Sequence, residues 1–146
     1  MKSVGSDIRW GWLRLMYAYT IIGAGLFGLG IVVAPNFVIS TFGWPLQDSV
    51  VLGVVGSVYI AFGLLSIFGL RSPLKFVPVL FLQLFYKTVW FLGVALPLVV
   101  TGQFPAHGYV FAVIFLSFII GDLIAIPFSY IFGKDTVTTR TNLVTD

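Results

Sequence analysis

Apolar residues run through this chain in four long stretches rather than alternating with polar ones. No charged residue occurs between Leu15 and Gln47, and the first apolar stretch inside that interval ends at Pro35. Leu15 to Ala34 would form a helix about 30 Å long at 1.5 Å per residue, the thickness of a bilayer's hydrocarbon core. A cleaved leader has a shorter apolar region and a small-residue exit site, so an uncleaved first span is expected. The second stretch lies between Asp48 and Arg71. The third begins after Lys75 and continues to about Val100, with Gln83 and Lys87 inside it. The fourth runs from Tyr109 to Phe132 and encloses Asp122. The pattern predicts an all-α integral membrane protein, an antiparallel four-transmembrane-helix bundle occupying residues 1–133. Its helices are expected at about 13–34, 50–70, 75–100 and 109–132, followed by a flexible polar cytoplasmic tail over 134–146.

The segments between these stretches refine the picture. Asn36 to Ser49 carries Phe37, Phe42, Trp44 and Pro45, aromatics suited to the headgroup zone, so it is expected to lie along the membrane surface. Pro97 and Pro127 fall inside the third and fourth stretches, where each should kink its helix. Lys2, Arg9, Arg14, Arg71, Lys75, Lys134 and Arg140 all fall on one side of such a bundle, and the opposite connections carry no basic residue. The positive-inside rule then puts both termini in the cytoplasm.

Composition agrees with this reading and narrows the chemistry. Hydrophobic residues make up 59% and charged residues 9%, against about a quarter charged in a soluble domain. The net charge of +3 is spread over topology-setting residues, so no nucleic-acid partner is expected. With no cysteine, disulfide relays, iron–sulfur clusters and thiolate zinc sites are excluded. The single histidine, His107, reads as a solvated loop residue, and no metal site is expected. No nucleophile–base pair or carboxylate pair stands out, so no catalytic residue is assigned and an enzyme is not the favoured reading.

Lys87 and Asp122 remain to be explained. Placed near mid-depth on consecutive spans, each alone would cost about 2.5–3.5 kcal/mol on insertion scales, so a mutual ion pair is expected. Such a pair either fixes the register of two helices or serves as a proton or ligand site. Gln83 stands one turn before Lys87 on the same face. Tyr86, Trp90 and Tyr59 lie near the same depth, so the cluster could line a pocket for a quinone, a lipid head or a pigment. Small residues mark packing faces: Gly53, Ser57 and Ala61 in the second span, and Ser117, Gly121, Ala125 and Ser129 in the fourth. These faces would serve internal packing, a homo-oligomer or another membrane protein.

Several segments form a familiar series: Val33-Ala34-Pro35, Phe42-Gly43, Gly53-Val-Val-Gly56-Ser-Val-Tyr59, and Gly63-Leu-Leu-Ser-Ile-Phe-Gly69-Leu-Arg71. This series resembles the DoxX-like small four-helix membrane proteins of bacteria. The resemblance implies a multi-pass protein of the bacterial inner membrane. It also leans toward an accessory subunit, since some DoxX-like proteins are membrane subunits of quinone-linked oxidoreductases. Members often carry an acidic residue in the second helix, where this chain reads Gly56-Ser57-Val58-Tyr59. The leading expectation is therefore a non-enzymatic accessory or assembly subunit with membrane lipid around it. A small oligomeric proton-linked transporter or channel using Lys87 and Asp122 is one alternative. A quinone- or lipid-binding subunit of a membrane oxidoreductase is the other.

Overall fold

The computed structural model describes residues 8–132, and every regular element among them is a helix. The polar tail and the basic residues Lys2, Lys134 and Arg140 lie outside the described residues. Four helices are long and apolar enough to cross a membrane: Trp10–Val33, Ser49–Arg71, Val77–Val100 and Ala106–Ala125. Their outer faces carry large exposed side chains such as Ile22, Val50, Phe85 and Val113. In water so much exposed apolar surface would drive aggregation, whereas in hydrocarbon it is the expected outside. This is the architecture of a multi-pass membrane protein.

Local chemistry sets the helix ends. The first helix stops at Ala34 (φ −138°, ψ 59°), because a residue before proline is pushed out of the α region. Pro35 then opens a short helix, Pro35–Phe42, a position where its missing N–H does no harm. Gly43, at φ +62°, ends that helix, and the Trp44 N–H returns to the Ile39 carbonyl at 2.9 Å. Asp48 caps the second long helix: its Oδ1 accepts from the N–H groups of Val50 (3.0 Å) and Val51 (2.9 Å).

The fourth helix departs from the expected 109–132. It begins three residues earlier, behind Pro105, and ends at Ala125. Pro127 terminates it instead of kinking it, because Ile126 must turn extended before the proline (φ −67°, ψ 122°). Phe128–Ile131 forms a separate turn of helix. Pro97 stays inside the third helix, which widens to π geometry over Phe91–Ala95, with the Leu96 N–H reaching back to the Phe91 carbonyl. In α geometry the ring of Pro97 would press on the Gly93 carbonyl, and the wider turn accommodates it. The first helix is also π-helical, over Ile21–Leu26.

Glycines bring the first and second helices together. A Cβ on Gly63 would lie 2.6 Å from the Gly25 Cα, and one on Gly28 would lie 2.6 Å from the Gly56 carbonyl oxygen. No side chain fits at either crossing. The small-residue face expected on the second helix does not make this crossing: Gly53 has open space at its Cβ position, and Ser57 and Ala61 are exposed. Small residues recur on two faces of this helix, and the one carrying Gly56 and Gly63 meets the first helix. On the fourth helix Gly121 and Ala125 are buried, Gly121 against Met16. Ser117 is exposed, and Ser129 falls beyond the helix end.

Gly63→Val should therefore lower stability in detergent by about 1–3 kcal/mol, the usual range for overpacking. Gly53→Ala should be neutral or gain up to about 1 kcal/mol, the helix-propensity difference. Equal losses in a denaturant titration would contradict the close crossing at Gly25 and Gly63.

Candidate functional site

Three of the four long helices contribute buried polar side chains to one hydrogen-bonded network. Thr20 comes from the first, Gln83 and Lys87 from the third, and Asp122 from the fourth. Thr20, Gln83 and Asp122 are 0% exposed and Lys87 1%. Gln83 joins them. Its Nε2 donates to Thr20 Oγ1 at 2.9 Å and to Asp122 Oδ1 at 3.3 Å, while its Oε1 accepts from Lys87 Nζ at 3.2 Å. Thr20 Oγ1 in turn donates to the Met16 carbonyl at 2.7 Å, which leaves its lone pair free for the amide. The opposite amide orientation would turn an NH₂ group toward the ammonium, so the partners themselves determine which way Gln83 points.

Lys87 and Asp122 are thus bridged instead of directly paired, and Asp122 Oδ2 has no hydrogen-bond partner. The reason is depth. Val77 and Ala125 pack in one core cluster, so those two helix ends lie side by side. Counting from them at 1.5 Å per residue puts Asp122 about 4.5 Å in, Gln83 about 9 Å and Lys87 about 15 Å. The earlier start and end of the fourth helix lower Asp122 relative to the expected mid-depth. Gln83 is the group at the height between the two charges.

Above the network lies a cavity of about 60 Å³ whose lining includes Lys87, Tyr59, Tyr86, Phe115 and Phe118. Lys87 Nζ sits 4.1 Å from the ring centre of Phe118, 4.5 Å from that of Tyr86 and 5.6 Å from that of Phe115. Aromatic faces attract a cation, more strongly where water is excluded. Phe42, from the segment expected to lie along the membrane surface, lines the far end of the cavity. There it packs on Phe27 at 5.3 Å, and Trp44 packs on Phe111 at 5.2 Å. Phe37 alone of the three points outward, 71% exposed.

Of the six residues expected to cluster, Lys87, Tyr86 and Tyr59 line the cavity, and Gln83 and Asp122 form the network beneath it. Trp90 packs on Phe115 at 5.1 Å and does not line it. Thr20 and the phenylalanines at 42, 111, 115 and 118 were not anticipated. Thr20 had a readable signal, as the one aliphatic hydroxyl in the first apolar stretch. The phenylalanines had none, being a few among 15 in the chain. His107 is half-buried in the neighbourhood of Trp44 and Gln47, away from this site. Among the described residues no group of three His, Cys, Asp or Glu side chains is placed to hold a metal ion. Comparison of the chain with protein-family models, curated proteins and solved structures finds no match.

Gln83→Leu would strand an ammonium and a carboxylate oxygen together, while the Thr20 hydroxyl keeps its bond to the Met16 carbonyl. An unsatisfied buried group costs about 1–3 kcal/mol, and membrane interiors moderate the figure, so a loss of at least about 2 kcal/mol is expected. The coupling between Lys87→Met and Asp122→Leu, read from a double-mutant cycle, should fall to the additive limit of about 0.3–0.5 kcal/mol in that background. Undiminished coupling would mean that the two charges meet directly.

Proposed function

We propose that this chain is a non-enzymatic accessory subunit of the bacterial inner membrane that holds a membrane-dissolved ligand, a lipid or a quinone, in the cavity beside Lys87. In this reading the four spans are antiparallel neighbours, since the turns at 72–76 and 101–105 are too short for anything else. Arg9, Arg14, Arg71 and Lys75 then face the cytoplasm with both termini. The resemblance to DoxX-like proteins agrees with an accessory role beside a quinone-linked or other membrane partner.

One observation carries the reading. A lysine ammonium, removed from water, stands in an aromatic-lined hole in the bundle with Gln83 Oε1 as its one hydrogen-bond acceptor among the described residues. A buried charge used only for packing would be expected to have its counter-ion against it. A path from the lipid supports the same reading. The first and fourth helices pack at Met16, Tyr19 and Phe118, and beyond Gly23 they meet through the rings of Phe27 and Phe111, 6.0 Å apart, beside which Ile114 is half-exposed at the edge of the cavity. A ligand dissolved in the bilayer would enter through that seam. A second reading, a small oligomeric proton-linked transporter, is favoured by the buried, unpartnered Oδ2 of Asp122. It requires proteoliposome flux that Asp122→Asn abolishes.

Protein purified from its native membrane should retain a lipid or quinone that organic extraction and mass spectrometry identify. Ile114→Trp, which narrows the seam, should lower that content at least tenfold. Equal content in the two proteins would contradict the ligand-holding role.

A further inference from the structure

We infer that the cavity takes the carboxylate of a single-tailed amphiphile, a long-chain fatty acid by chemical class, with Lys87 as its counter-ion. This rests on the ligand-holding reading above and narrows it to one head group.

Charge is the first argument. Lys87 is the sole charged residue lining the cavity. Asp122 is not part of that lining and is bonded on the far side of the Gln83 amide. Gln83 occupies one of the three ammonium protons, and the others have no acceptor among the described residues. The rings of Tyr86 and Phe118 support the cation without neutralising it. An ammonium so placed has no anion in contact with it, since Asp122 acts on it across the Gln83 amide, and a carboxylate entering the cavity supplies one together with acceptors for its free protons.

Size is the second. At about 10–15 Å³ of such space per water molecule, 60 Å³ holds about four to six waters, hence a head of about that many heavy atoms. A carboxylate and its first methylenes fill that space. A quinone ring with its two oxygens already has roughly eight heavy atoms before any substituent.

The third argument is where the tail goes. Tyr19 and Phe118 stack at 4.2 Å and form a shared wall. Phe118 faces the cavity, and Tyr19 faces an apolar groove along Leu15, Ile22 and Ile120 on the outside of the first and fourth helices. A chain leaving the seam at Gly23 runs straight onto that groove, which is open to lipid along its length. One flexible tail would follow this path.

Binding to the full chain in phosphatidylcholine nanodiscs tests the inference with three probes: palmitic acid, its methyl ester and decyl-ubiquinone. Palmitate should bind saturably, and the ester at least tenfold more weakly. Lys87→Met should lose palmitate at least tenfold and Lys87→Arg should keep it. Should Lys87→Met fail to fold, Ile114→Trp should block palmitate with the network left intact. Ester binding as tight as acid, palmitate binding indifferent to Lys87→Met, or quinone binding without palmitate binding would each overturn the carboxylate assignment and leave the ligand-holding reading in place. No binding of any probe that Ile114→Trp reduces would overturn both.

Discussion

In hydrocarbon no water can complete an unmade hydrogen bond, so the side-chain amide of Gln83 must find its partners inside the protein. It finds them on three helices: Lys87 one turn along its own, Thr20 on the first and Asp122 on the fourth. Each partner is matched to one end of the amide, donor to acceptor. Sliding any of these helices by a residue would move its polar group about 1.5 Å along the axis and break the match. The amide thus sets the register of the bundle. It also keeps the two charges apart, and that separation is what makes Lys87 available to the cavity.

The second helix adds no hydrogen bond to this network, yet the arrangement depends on it. Its crossing with the first helix at Gly25–Gly63 and Gly28–Gly56 leaves no room for a side chain, so the upper part of the first helix is drawn toward the second. Toward the fourth helix the same part reaches through the rings of Phe27 and Phe111, 6.0 Å apart, which border the cavity. The π-helical stretch Ile21–Leu26 begins directly after Thr20. The extra residue of a π turn rotates the remainder of the helix, which can then present Thr20 to the network and Gly25 and Gly28 to the second helix. Close backbone packing on one side and a contact made by aromatic rings on the other are therefore two results of one displacement.

The four long helices were legible because uninterrupted apolar length is a strong and nearly sufficient signal for a membrane span. Their ends were less so. The run through Phe132 is apolar beyond Pro127, and hydropathy does not register that Ile126 must leave the α region. The start of the fourth helix was set about three residues late, which put Asp122 at mid-depth, and depth alone then suggested a direct pair with Lys87. Gln83 was readable as a same-face neighbour, whereas its position between the charges depends on relative helix height, which no single stretch contains. The small residues of the second helix were ambiguous for a similar reason. Two faces carry them, and only the partner's Gly25 and Gly28 determine which one is used. The phenylalanines of the cavity are chemically identical to those facing lipid, and only packing separates the two sets.

Magic-angle-spinning NMR in lipid bilayers can measure the separation of the two charges directly. With Lys2, Lys75 and Lys134 changed to arginine, Lys87 is the sole lysine, and its ¹⁵Nζ can be recoupled to ¹³C in glutamine and aspartate side chains. The expected result is a short Lys87 Nζ to glutamine Cδ distance, consistent with the 3.2 Å hydrogen bond to Oε1, and no contact with an aspartate carboxylate. A direct-contact coupling between Lys87 Nζ and an aspartate Cγ would contradict it, because the ammonium would then already be neutralised within the protein.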